Sequence, residues 1–158
     1  MGPTRNSPLA LNPGEAVAAV AGSSPLSSTL GRQAEGHAFE DASRVFEEIT
    51  RPGVVIRDAG EVSSYLGQHP ELRKLLPSIC AEVRAALGKD VELSLEVYND
   101  PEIDDRYVTL YVRESRYEAD ILDRLQKISD GFNHRLEDIP GYFLLTTDFS
   151  RPRGSHAV

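Results

Sequence analysis

The chain has 158 residues, 40% of them apolar and 27% charged, with a formal charge of −8. Setting aside Arg5, Arg32, Glu15 and Glu35 in residues 1–38 and Arg151 and Arg153 at the end leaves 13 basic and 23 acidic residues in 39–148. A body this acidic repels phosphate backbones and speaks against nucleic acid as a partner, and no apolar run is long enough to span a membrane.

Residues 1–38 are rich in Pro, Gly, Ser and Ala and show no sustained period, so they are predicted to form a disordered tail. The run "AVAAVAG" at 16–22 follows Glu15 and is too weakly apolar for a secretory signal. Gly2 has Asn6 where a myristoylation motif needs Ser or Thr. A single cysteine, Cys80, precludes an intrachain disulfide and fits a reducing, cytoplasmic setting.

Order is expected from residue 39, in one α+β domain over 39–148, with 149–158 as a frayed tail. Ala42, Val45, Phe46 and Ile49 form one stripe of a short helix, stopped by Pro52 and Gly53. "VVIR", 54–57, reads as a short strand. Asp58 and Glu61 form an N-terminal capping box for a helix carrying Val62, Tyr65 and Leu66. Helical spacing then runs from Leu72 to Leu87, and Pro77 within it predicts a break or kink. Gly88 is a natural helix stop.

"VELSLEVY", 91–98, and "YVTLYVR", 107–113, alternate with period two. They predict an antiparallel pair with Val91, Leu93, Leu95, Val97, Val108, Leu110 and Val112 inward, joined by a loop over 99–106. A second capping box, Ser115 with Glu118, predicts a helix start there, and Tyr117, Ile121, Leu125 and Ile128 follow as its stripe. "YFLLTT", 142–147, is apolar on both faces and reads as a covered or central strand. The final "PRGSH" also resembles an expression-tag scar.

From residue 54 the order is β-α-β-β-α-β. A mainly antiparallel four-stranded sheet with helices on one face, the ferredoxin-like arrangement, gives every apolar stripe a place to pack. At the hairpin, Leu95-Glu96-Val97 followed by Asp100-Pro101-Glu102 and Asp104-Asp105 resembles a set of small bacterial proteins that share this LEV-x-x-DPE-x-DD hairpin. The resemblance extends over residues 54–148. It implies a common domain and no activity.

The hairpin carries the candidate site. Hard cations prefer carboxylate oxygens, which raises a Mg²⁺ or Ca²⁺ site as one reading of Glu96, Asp100, Glu102, Asp104 and Asp105, with a metal-dependent hydrolase as the alternative function. The spacing is poor for it, because an EF-hand loop begun at Asp100 needs glycine where Asp105 stands. A structural reading has Asp100 bonding its own turn. A docking reading has the acids attracting a basic partner.

The outer face of the pair carries Glu92, Glu96, Tyr98, Tyr107, Thr109, Tyr111 and Arg113. Three tyrosines could stack on bases, but the acids beside them and the lack of an aromatic-glycine signature argue otherwise. His37, His69, His134 and His156 lie at no metal spacing, and Cys80 sits on a helix as a structural thiol. No phosphate loop, nucleophile elbow or dinucleotide fingerprint occurs, so neither catalytic residues nor a cofactor are expected.

The sequence therefore points to a binding protein. Its expected contact residues are Glu96, Tyr98, Asp100, Glu102, Asp104, Asp105, Tyr107, Thr109, Tyr111 and Arg113, and its expected partner is another protein with a basic surface. One form of that function is the neutralising, antitoxin-like member of a toxin pair.

Overall fold

The computed structural model describes residues 40–154. The predicted tail 1–38, with His37 in it, and the last four residues, with His156, lie outside the described residues.

Helix α1 covers residues 40–50 and ends as the sequence requires. The Thr50 hydroxyl donates back to the Phe46 carbonyl at 2.9 Å, and the Gly53 amide closes a turn on Thr50 with φ at +83°. Strand β1 is Val54–Ile56. Helix α2, Ala59–Gln68, opens with the Asp58 carboxylate accepting the Glu61 amide at 3.4 Å. Only half of the capping box forms, because the Glu61 carboxylate pairs with Arg106 instead.

Helix α3, Pro70–Leu87, runs unbroken through Pro77, against the predicted interruption. A proline inside a helix costs about 3 kcal/mol. Leu72 and Leu76 before it, and Ile79, Cys80 and Val83 after it, are all fully buried. Burial of such side chains is worth about 1.5–3 kcal/mol for each of the larger ones, so a continuous buried stripe outweighs one missing hydrogen bond. Cys80 is buried in the core, and burial pushes its thiol up to about 12.

Strands β2, Glu92–Asp100, and β3, Asp105–Arg113, form the hairpin. Nine residue pairs run from Glu92↔Arg113 to Asp100↔Asp105, so the connecting loop is 101–104, shorter than the 99–106 expected. Helix α4 covers Ile121–Asn133, and strand β4 covers Phe143–Thr146. The predicted N-cap at Ser115 is five residues early, since Asp120 caps the helix. Tyr117 is used elsewhere: its hydroxyl donates to the Ser150 carbonyl and its ring meets Phe149 edge-on. That anchor holds 114–120 out of the helix.

The sheet order is β1-β2-β3-β4. The β1–β2 and β3–β4 pairs are parallel, and only the central pair is antiparallel. This corrects the ferredoxin-like, mainly antiparallel expectation. A ferredoxin-like sheet interleaves its two βαβ units, with the first and third strands central. Here each crossover returns the chain beside its own starting strand, so the hairpin occupies the centre. Strand β4 is consequently an edge and not central, but it is covered, with Phe143 and Leu145 buried and Leu144 and Thr146 half-buried.

One apolar cluster holds the layers together. Leu93, Leu95, Val108, Leu110 and Val112 from the hairpin meet Ile49 of α1, Val62 and Leu66 of α2, the stripe of α3, and Ile121, Leu125 and Phe132 of α4. The loop before β4 is locked onto α2. The Tyr65 hydroxyl accepts the Tyr142 amide at 2.8 Å and donates to the Tyr142 carbonyl at 3.3 Å. Gly141 has φ +95°, and a Cβ there would stand 2.8 Å from the His69 ring. Gly141→Ala is therefore expected to lose about 1–3 kcal/mol of stability in urea unfolding, through both the left-handed backbone and the collision.

Candidate functional site

Register and alternation sort the outer face of the sheet into cross-strand rows. Glu92 pairs with Arg113, Ser94 with Tyr111, Glu96 with Thr109, and Tyr98 with Tyr107. Strand β4 adds to the rows, because Val108 pairs with Phe143 and Tyr142 therefore lies beside Tyr107. The face divides into two ends of different chemistry.

At the end where β2 begins, Arg113 is only 3% exposed. Its guanidinium donates to Asp148 at 2.7 and 3.0 Å, to Glu96 at 3.1 Å and to Glu92 at 3.4 Å. The Arg113 pairing holds the Asp148 carboxyl below its usual range. Arg57 reaches Glu92 at 3.8 Å from β1's end of the sheet. The segment after β4 is tied to the same cluster: the Arg153 amide donates to Glu92 at 2.8 Å, and the Ser150 amide to Asp148 at 3.0 Å. Phe149, Ser150 and Arg153, expected as part of a frayed end, thus carry hydrogen bonds to Thr147, Asp148, Tyr117 and Glu92.

Two expected contact residues, Arg113 and Thr109, offer no area to a partner, since Thr109 is only 1% exposed. Glu96 is committed to Arg113 and to the Ser94 hydroxyl, which donates at 2.7 Å. Tyr111 is half-buried under the Arg113 guanidinium, 5.3 Å from its ring centre. These four are parts of the fold.

The other end is open. Tyr98 and Tyr107 stack with ring centres 5.0 Å apart, and Tyr142 meets Tyr107 edge-on at 5.3 Å. Tyr98 is 38% exposed and Tyr142 59%. Asp100 and Asp105 continue the same face past the tyrosines, by the two-residue alternation. Burial first, then the neighbouring Tyr98 and Asp105, raise the Tyr107 pKa. Beyond them the apex carries Glu102, Asp104 and Ile103, which is 64% exposed.

The Asp100 carboxylate accepts the Glu102 amide at 2.9 Å, the turn bond that the sequence anticipates. The nearest base along the chain, Arg106, is taken by Glu61. Asp100, Glu102, Asp104 and Asp105 make no ion pair among the described residues, whose pairs involve other acids. Nor do any three His, Cys, Asp or Glu side chains among the described residues gather where they could hold one metal ion. His134 is exposed after α4, and His69 lies between α2 and α3 against the Tyr65 ring.

Sequence reasoning missed Tyr142 and Asp148. Their signal was the alternation of 142, 144, 146 and 148, readable only once β4 is known to lie beside β3.

Compared with known proteins, the chain matches no family model, no curated protein and no solved structure. No helix among the described residues is long and apolar enough to cross a membrane.

Proposed function

We propose that the protein acts by binding another protein at the open end of the hairpin, through Tyr98, Tyr107, Tyr142 and Ile103 with Asp100, Glu102, Asp104 and Asp105 around them. The observation that carries this reading is the row of three exposed or half-exposed tyrosines continuing directly into unpaired carboxylates. Tyrosine is enriched at interface centres because it covers a large area with few rotamers to freeze. A flat guanidinium is the group that satisfies both halves of the surface, stacking on a tyrosine ring while donating to a carboxylate. The partner is therefore a protein presenting arginine on a basic patch, and uncompensated acids at the apex would speed its approach. A toxin with such a surface, neutralised by this chain, is one partner of that kind.

The test is co-purification from the native host of the wild type, Tyr98→Ala/Tyr107→Ala, and Asp100→Asn/Glu102→Gln/Asp104→Asn/Asp105→Asn. One partner should copurify with the wild type, be lost with the tyrosine variant and be recovered in lower yield with the amide variant. Loss of hot-spot tyrosines is expected to weaken binding by about 2 kcal/mol or more, roughly thirtyfold. The amide variant should mainly slow association and flatten its salt dependence. Recovery of the same partner at equal yield by all three proteins would remove this surface from consideration.

A further inference from the structure

A small basic pocket lies at the end of the sheet away from the hairpin apex. Gly53 precedes β1 and Val91 precedes β2, and these strands are parallel, so both lie where the strands begin. The hairpin apex is nine residues further along β2, about 30 Å away. Between these strand starts is a pocket of about 490 Å³ lined by Arg51, Pro52, Gly53, Arg84, Lys89 and Val91. No acidic side chain lines it, in a body where acids far outnumber bases. Arg51, Arg84 and Lys89 form no ion pair among the described residues, so no carboxylate already occupies them.

Arg84 is fixed. Its guanidinium donates to the carbonyls of Pro52 at 2.8 Å, Gly53 at 2.9 Å, Gly88 at 2.9 Å and Val91 at 2.8 Å. A guanidinium has five N–H groups. The fifth belongs to Nη2, which donates only to Gly53. That nitrogen is also the atom nearest to where a Cβ on Gly53 would stand, at 3.5 Å. Gly53 has φ +83°, which by itself favours glycine, and its consequence here is a guanidinium with no side chain over this side. Burial disfavours the Arg84 charge, and no carboxylate offsets it.

We infer that this pocket binds a phosphomonoester carried on a small apolar body. A phosphate dianion matches three clustered cations better than a single carboxylate does. The free Nη2–H of Arg84 would give it a fixed donor, and Arg51 and Lys89 would close on it from the two loops that Arg84 joins. Pro52 and Val91 supply apolar surface for the body of the ligand.

The test titrates the full chain with phenyl phosphate, inorganic phosphate and benzoate at constant ionic strength, followed by amide NMR shifts. Phenyl phosphate should move the Gly53, Lys89 and Val91 signals, with inorganic phosphate weaker and benzoate weaker still. Arg51→Ala/Lys89→Ala leaves the Arg84 anchor intact, and the wild-type hairpin signals report its folding. Each lost cation should weaken phenyl phosphate about tenfold. Equal binding to this variant, shifts that avoid Gly53 and Lys89, or benzoate binding as tightly as phenyl phosphate would overturn the assignment. Neither result bears on the hairpin apex.

Discussion

Arg113→Met should cost about 3 kcal/mol of folding stability at neutral pH, and the loss should shrink in acid. Removing one partner of a buried ion pair costs about 3–5 kcal/mol, because the other is left uncompensated. Here the carboxylates are partly wet, with Glu92 at 13%, Glu96 at 29% and Asp148 at 31% side-chain exposure, which places the cost at the low end. Three acids would then face each other with only Arg57 beside them.

The pH dependence follows from the direction of the Asp148 shift. Its folded pKa is depressed by Arg113, below the ordinary aspartate value of about 4. The stabilisation is therefore complete above that ordinary value and is lost as pH falls through the folded pKa. In the variant Asp148 has no guanidinium to stabilise its charge, so its protonation on acidification removes nothing further. Chemical denaturation of both proteins from pH 7 to pH 3 should show the stability gap narrowing below about pH 4. A gap that stays constant would mean that Arg113 acts by packing alone.

Arg84→Met should cost a similar amount, about 2–4 kcal/mol, with no such pH dependence. Four carbonyls from two loops, 52–53 and 88–91, share this one guanidinium. A typical hydrogen bond contributes about 1 kcal/mol net, and more when the donor is charged, less where water can replace it. The partners are carbonyls and do not titrate, so the loss should be flat between pH 5 and 9. Arg84→Lys should recover less than half, because an ammonium has three donors and cannot span four acceptors in a plane. Hydrogen exchange would locate the damage. Amides of 51–54 and 88–92 should lose protection before those of the hairpin. Uniform loss across the domain would assign Arg84 a global role instead.

The two arginines illustrate which interactions a sequence reveals. Arg113 was visible as an outward residue on an alternating strand, and it read as available to a partner. Its burial comes from Asp148, 35 positions later, and from the segment that carries it. Arg84 gave no signal at all, since nothing in a helical pattern says that one side chain leaves to tie two distant loops. The open hairpin end, by contrast, was legible. Tyr98, Tyr107, Asp100 and Asp105 share a face by local alternation alone, and the Asp100 turn follows from its own side chain.

Local periodicity determined what each segment of this chain would be: α1, α2 and α3 and the strands β2 and β3 follow from spacings of three, four and two, because burial of an apolar stripe outweighs propensity. It also determined that β2 and β3 would pair, since only a short loop separates them. Tertiary structure alone decided the order of the sheet, the unbroken course of α3 through Pro77 and the late start of α4 after Tyr117. Each of these depends on a competition between contacts distant in sequence. The two crossovers could return on either side of the hairpin with the same apolar faces buried, and nothing in the alternation of β1 or β4 records which neighbour each would find.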